Sequence, residues 1–137
     1  MIVADTGGML ALLDRSDRHH RVVSLLFDSD PDWILPWAIL PEVDYLAANR
    51  LGDHVALAFA ADLREGLYTV DGNVARDLPR AGELLAQYAD LRLGLVDAVV
   101  MAQAERHQAT VIVTTDERHF RAVRLAIDPA PRLVPLD

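Results

Sequence analysis

The chain has 137 residues, is 52% hydrophobic and carries a formal net charge of −8, which predicts one globular domain over residues 1–137 and excludes a disordered chain. It has no cysteine, which excludes disulfides, zinc–thiolate sites and cysteine nucleophiles, and its 13 basic residues are all arginine, which excludes P-loop, Schiff-base and lysine-dependent phosphoryl-transfer sites. Its apolar runs fall short of the roughly 18 to 20 residues that span a bilayer, and no signal-like leader opens it, so we expect a soluble cytoplasmic protein with no membrane partner.

The first predicted element is a short buried strand that ends in a carboxylate. Ile2, Val3 and Ala4 form an apolar run, and Asp5 and Thr6 follow it directly. Short apolar runs bounded by helix-start residues are typical of buried strands. In a parallel sheet Asp5 would lie at a carboxyl end, the edge where open α/β sheets bind ligands. Aspartate and threonine also cap helices, so Thr6 can cap the helix that follows, and Asp5 alone could be no more than a cap.

A second helix is predicted over residues 20–27, and a strand and a further helix follow it. The apolar run 33–36 predicts a second strand. Pro41 suits the first turn of a helix that Gly52 ends. Glu42 therefore lies in the first turn of that helix, where the helix dipole favours an anion, and this placement alone would explain the residue.

The second half of the chain predicts a strand at 67–70 and a helix over 74–88 that is interrupted or kinked near Pro79. A further helix over 97–107 has few polar residues until its end and should be buried. Asp97 at its start would be a partly buried carboxylate, which must cap the helix, form an ion pair, take up a proton or bind a metal.

The last strong strand pattern covers residues 109–115 and repeats the arrangement of the first, because Asp116 follows it directly. Leu133 and Val134 form a predicted edge strand. Strands and helices thus alternate, which predicts an α/β fold with a mostly parallel central sheet of about four to five strands, flanked by helices on both faces.

Four acidic residues are candidate ligands of a metal ion: Asp5, Glu42, Asp97 and Asp116. They are far apart in the sequence, so only the fold can bring them together. Carboxylates within a few ångströms of one another repel, and a divalent cation removes that repulsion. Ligation by oxygen alone selects Mg²⁺ or Mn²⁺ over zinc or copper, and such ions activate water and stabilise charge on phosphoryl oxygens.

Two threonines, Thr6 and Thr114, are placed to bond a carboxylate or a metal-bound water. Threonines more often satisfy nearby backbone groups, so this assignment has a simpler alternative. The five histidines show no metal-type spacing, and we therefore assign none of them to the metal.

The sequence resembles PIN-domain ribonucleases, specifically the VapC-type toxins of bacterial VapBC toxin–antitoxin pairs. The resemblance covers nearly the whole chain and rests on short motifs around the four acids. These motifs lie at residues 2–6, 41–43, 95–98 and 113–116, with His119-Phe120 following the last. The resemblance implies a parallel α/β fold and an endoribonuclease that cuts tRNA, rRNA or mRNA. It also implies a homodimer that a VapB-type antitoxin inhibits.

By the same resemblance, Asp5, Glu42, Asp97 and Asp116 bind Mg²⁺ or Mn²⁺, with Thr6 and Thr114 in support. The implied reaction is metal-assisted hydrolysis, in which a carboxylate accepts a proton from the attacking water. The sequence does not choose between Asp97 and Asp116 as that base, or between one ion and two.

Arginines would have to contact RNA in so acidic a protein, because phosphate contacts supply much of the affinity of proteins for nucleic acids. We predict two basic clusters as RNA contacts, with solvated surface charge as the equal alternative for each residue. They are Arg15, Arg18, His19, His20 and Arg21, and Arg118, His119, Arg121 and Arg124.

Two other classes of function remain open from the sequence. One is a non-catalytic PIN-like domain that only binds RNA or protein, and the other is a phosphoesterase that acts on a non-RNA substrate. A purely structural α/β module would scatter the four acids.

Overall fold

The computed structural model describes all 137 residues and contains one sheet of five short strands. The strands are β1 (Ile2–Ala4), β2 (Trp33–Pro36), β3 (Thr69–Asp71), β4 (Val111–Val113) and β5 (Arg132–Val134). Their order is β3-β2-β1-β4-β5, and every neighbouring pair is parallel. The predicted parallel α/β sheet is confirmed, with the strand at 133–134 on its edge.

Seven α-helices flank the sheet. They are α1 (Thr6–Leu13), α2 (His20–Ser29), α3 (Leu40–Leu51), α4 (Asp53–Arg64), α5 (Val74–Gln87), α6 (Leu95–Arg106) and α7 (Glu117–Ala122). Single 3₁₀ turns cover Trp37–Ile39 and Ala89–Leu91. Strands β1 and β2 are buried along their whole length, which requires cover on both faces of the sheet. No helix is both long enough and apolar enough to cross a bilayer.

Helix α5 runs without a break through Pro79, so the predicted interruption does not occur. A proline inside a helix removes one backbone hydrogen bond and crowds the preceding turn. Contacts with α6 offset this cost, because the buried carboxylate of Asp77 on α5 accepts hydrogen bonds from Gln103 and Arg106 on α6. Tertiary contacts thus override the local preference of proline.

The third strand begins two residues later than the sequence predicts. Gly66 ends α4 with a φ of +76°, a left-handed conformation that glycine adopts without strain. Tyr68 then packs against the rings of Phe27 and Phe59, and pairing with β2 begins only at Thr69. Tyr68, which the apolar pattern assigned to the strand, thus belongs to an aromatic cluster instead.

Helix α6 is the most deeply buried helix, as predicted, since Ala98 to Glu105 are all buried. It starts at the edge of the sheet where the parallel strands end, because Asp97 in its first turn lies beside the residues that follow β4. Asp5 follows β1 at the same edge. The fold therefore brings Asp5, Asp97 and Asp116 to one rim.

Candidate active site

Asp5 is a buried carboxylate at the end of β1, with only 4% of its surface exposed. It caps α1, because its Oδ1 accepts a hydrogen bond of 2.7 Å from the backbone N–H of Gly8. The capping alternative is thus correct for Asp5, whereas Thr6 is the first helical residue and not the cap. The other carboxylate oxygen of Asp5, Oδ2, accepts a hydrogen bond from the hydroxyl of Thr114.

Burial raises the pKa of Asp5 to about 7, against the lowering effect of the hydrogen bonds from Thr114 and Gly8. The negative charges of Asp97 and Asp116 raise it further. A capping aspartate at a helix end exposed to water would not behave in this way. Asp5 therefore lies in a buried environment that disfavours its charged form.

The close approach of α1 to β4 supports this arrangement. A Cβ atom on Gly8 would overlap the backbone carbonyl group of Val113, so only glycine fits here. The same Gly8 N–H holds Asp5. Gly8 therefore lets the first turn of α1 pack directly against β4, which Thr114 follows.

The two predicted supporting threonines are both buried, but their surroundings differ. The hydroxyl of Thr114 donates to Asp5 and accepts a hydrogen bond of 3.0 Å from the backbone N–H of Asp116. It therefore links two of the four acids. The hydroxyl of Thr6 is buried without any hydrogen-bond partner. Such a hydroxyl destabilises a protein unless another polar group bonds to it.

Asp116 caps α7 and contacts His119 twice. Its Oδ1 accepts a hydrogen bond of 3.1 Å from the backbone N–H of His119, and its Oδ2 lies 2.8 Å from Nδ1 of the same residue. The capping alternative is again correct. The side chain of Asp116 remains about one-third exposed, so the cap is open to solvent and to a ligand.

Asp97 lies in the first turn of α6 and does not cap it, since the cap is Gly94 and makes no side-chain hydrogen bond. The capping alternative is therefore wrong for Asp97. Burial raises the pKa of Asp97, as do the charges of Asp116 and Glu42, while His119 lowers it. Glu42 itself is exposed in the first turn of α3, close enough for its charge to act on Asp97.

Three side chains could hold a metal ion together: Asp97, Asp116 and His119, whose ligand atoms lie within 4.8 Å of one another. Asp5 and Glu42 do not belong to this group. We assigned no histidine to the metal from the sequence, whereas the structure brings His119 into this group. Its position three residues after Asp116 was the available signal, because residues three apart share a face of a helix.

The predicted RNA-binding arginines have different surroundings. Arg118 follows Asp116 by two residues, is exposed and makes no ion pair. Arg121 pairs with Glu117 at 2.9 Å and with Asp137 at 2.7 Å. The other three are exposed and follow α1, an eight-residue helix about 12 Å long that begins at Thr6, and the last of them lies in α2: Arg15, Arg18 and Arg21.

The family model of the PIN domain matches residues 2–125 of this chain. The chain belongs to the PIN-domain family. A sequence relative, ribonuclease VapC26 of Mycobacterium tuberculosis, is 33% identical over 125 residues, which cover 90% of this chain and 92% of the relative. The resemblance to VapC-type PIN domains that the motifs indicated is therefore confirmed.

Solved structures of other PIN-domain proteins share the fold. VapC20 of Mycobacterium tuberculosis, a toxin that cleaves the sarcin–ricin loop, matches with a TM-score of 0.77 and 23% identity over 90% of this chain and 97% of its own. A DNA-bound VapBC from Salmonella typhimurium matches with a TM-score of 0.67 and 20% identity, covering 96% of this chain and 95% of the other. VapBC2 of Rickettsia felis, bound to a DNA fragment from its promoter, matches with a TM-score of 0.68 and 15% identity, covering 97% of each chain.

Proposed function

We propose that this protein is the endoribonuclease toxin of a VapBC-type toxin–antitoxin module, and that it hydrolyses phosphodiester bonds in RNA with the help of Mg²⁺ or Mn²⁺. One observation carries the proposal. Asp5, Asp97 and Asp116 come from three separate elements and lie close enough for the charges of the other two to raise the pKa of Asp5. The name of the 33% identical relative, a ribonuclease, supports RNA as the substrate.

A divalent cation fits the donor atoms at this rim. The charges of Asp97 and Asp116 raise the pKa of Asp5, and those of Asp116 and Glu42 raise the pKa of Asp97. A cation would reverse both effects, and the buried hydroxyl of Thr6 lacks a partner. Asp97 and Asp116 would hold the ion, with Asp5 and Glu42 around it. When bound, such an ion lowers the pKa of water and stabilises negative charge on phosphoryl oxygens.

The protein's own groups have distinct proposed roles. Gly8 and Thr114 hold both oxygens of Asp5 and so orient the buried carboxylate. Asp97 is the better candidate for the base that accepts a proton from the attacking water, because its carboxylate makes no hydrogen bond of its own, whereas both oxygens of Asp116 contact His119. Arg118, exposed beside Asp116, is the proposed contact to an RNA phosphate.

The proposed partners are RNA, a VapB-type antitoxin and a second copy of this chain, all bound by one domain over residues 1–137. Large apolar side chains are exposed on the helices: Val22 and Leu25 on α2, Tyr45 on α3 and Leu57 on α4. Exposed apolar surface of this kind marks protein interfaces. The two VapBC complexes that share the fold support an antitoxin as the partner.

The experiment is RNA cleavage by the purified wild-type protein in Mg²⁺ or Mn²⁺ and in EDTA, with Asp5→Asn as the inactive variant and the exposed Asp32→Asn as its matched control. We expect cleavage only with metal, loss of cleavage in Asp5→Asn and normal cleavage in Asp32→Asn. RNA that is bound but never cut would favour the non-catalytic binding domain. Faster cleavage of DNA or of small phosphodiesters than of RNA would favour the other phosphoesterase.

A further inference from the structure

We propose that Nδ1 of His119 is a ligand of the divalent cation, so that this metal centre contains one nitrogen ligand among its carboxylate oxygens. The inference rests on the proposed metal dependence and goes beyond it. His119 follows the last motif of the family resemblance, but neither that resemblance nor the search for paired histidines in the sequence gave it a role at the metal.

The position of the ring supports this role. Nδ1 of His119 lies 2.8 Å from Oδ2 of Asp116 and 3.7 Å from Oδ2 of Asp97, and the side chain is only 19% exposed. A cation between the two carboxylates would therefore lie next to Nδ1. The backbone N–H of His119 also bonds Oδ1 of Asp116, so the two residues are held together at the start of α7.

The opposite side of the ring fixes its orientation. Nε2 of His119 lies 3.1 Å from the backbone carbonyl oxygen of Leu91, which can only accept a hydrogen bond. Nε2 must therefore donate. Nδ1 faces the acids, where a bond to the cation would replace its hydrogen bond to Oδ2 of Asp116. Histidines that bind metals almost always donate their other ring N–H to a carbonyl or carboxylate in this way. Leu91 thus supplies the outer contact that a histidine ligand requires.

A nitrogen ligand changes which metal the site prefers. Mg²⁺ takes oxygen ligands and keeps most of its water, whereas imidazole suits transition metals such as Mn²⁺ better. The all-oxygen site predicted from the sequence would favour Mg²⁺ and Mn²⁺ similarly. With His119 as a ligand, the site binds Mn²⁺ more tightly than Mg²⁺.

Pulsed electron paramagnetic resonance of Mn²⁺ bound to the full-length protein, without RNA, tests the inference directly. A coordinated imidazole gives a ¹⁴N coupling to the Mn²⁺ electron spin. The variant is His119→Asn, and the matched control is His107→Asn. His107 also pairs with a carboxylate, Asp71 at 2.6 Å, and is 20% exposed, but it caps the opposite end of α6.

We expect the ¹⁴N coupling in the wild type and in His107→Asn, and its loss in His119→Asn. The Mn²⁺ dissociation constant of His119→Asn should rise by about tenfold or more, the scale seen when contacts around a metal ligand are lost. Its Mg²⁺ dissociation constant should rise less. The wild-type spectrum needs no variant, so misfolding of His119→Asn would not prevent the test.

Two results would overturn the inference, and they differ in what else they affect. Wild-type Mn²⁺ binding without ¹⁴N coupling removes His119 from the metal and leaves the ribonuclease proposal intact. No binding of Mn²⁺ to the wild type removes both the inference and the proposed metal dependence.

Discussion

The hydroxyl of Thr114 donates a hydrogen bond to the carboxylate of Asp5, although 109 positions separate the two residues in the sequence. The bond joins the end of β4 to the end of β1. The same hydroxyl accepts a hydrogen bond from the backbone N–H of Asp116, so it also positions the backbone of Asp116. The geometry of the rim thus depends on one buried hydroxyl.

Thr114→Val should test this link, because valine keeps the shape and removes the hydroxyl. We expect a loss of about 1 to 3 kcal/mol in the free energy of unfolding, since Asp5 and the Asp116 N–H each lose a buried partner. Urea denaturation measures the loss, and RNA cleavage should fall in parallel. Thr115→Val is the control, because Thr115 is exposed. Equal stability of the two variants would contradict the role of Thr114.

The stability of the metal-free protein should depend on pH through Asp5. Its folded-state pKa of about 7 lies above the ordinary value of 3.8, so the folded protein binds a proton that the unfolded chain releases. This contribution is complete below about pH 4 and is lost as the pH rises towards 7 and above. The Asp5→Asn variant should not show this loss of stability with rising pH.

The corresponding measurement is thermal unfolding of the wild type and Asp5→Asn in EDTA from pH 5 to pH 8. We expect Asp5→Asn to become the more stable protein at pH 8. A pKa change of one unit corresponds to about 1.4 kcal/mol, which limits the gain to a few kcal/mol. Adding Mn²⁺ should restore the thermal stability of the wild type at pH 8. Parallel pH curves for the two proteins would count against a raised pKa of Asp5.

Gly8→Ala should destabilise the protein, because the new Cβ meets the carbonyl group of Val113 and pushes α1 away from β4. Overpacking of this kind costs about 1 to 3 kcal/mol. Gly82→Ala in α5 is the matched control, since nothing lies within 4 Å of its Cβ position, and it should stabilise the helix by up to about 1 kcal/mol. Chemical denaturation of both variants checks the prediction, which fails if both change stability in the same direction.

Arg106→Met should lower the free energy of unfolding by about 3 to 5 kcal/mol, the usual cost of leaving buried charges without a partner. Arg106 on α6 contacts Asp77 at 2.9 Å and Asp71 at 2.8 Å, and all three side chains are largely buried. The control is Arg64→Met, whose pair with Glu65 spans 4.0 Å at the exposed surface and should contribute less than about 0.5 kcal/mol. Similar urea midpoints for the two variants would contradict a structural role for Arg106.

Much of the site could be predicted because a parallel sheet places the ends of its strands at one edge. Asp5 and Asp116 each follow an apolar strand, so their meeting follows from topology. For Asp97 the choice between cap and site depended on how α6 starts, and only the structure shows that Gly94 takes the cap position. Capping and a place at the rim are not exclusive alternatives, because Asp5 and Asp116 cap helices and also lie at the same rim.

His119 could not be assigned from the sequence for a physical reason. Its ring orientation depends on the carbonyl of Leu91, which is 28 residues away and reaches the site through a 3₁₀ turn. The continuity of α5 through Pro79 likewise depends on contacts with α6. Both features arise from tertiary contacts that local patterns do not encode.

Anomalous diffraction from crystals of this protein soaked in Mn²⁺ tests most directly whether this rim is a metal centre. We expect a manganese peak between Asp97, Asp116 and His119, with Asp5 and Glu42 beside it. Diffraction that shows manganese only elsewhere on the molecule, with these side chains making no contact to it, would contradict the claim that this rim is a metal centre.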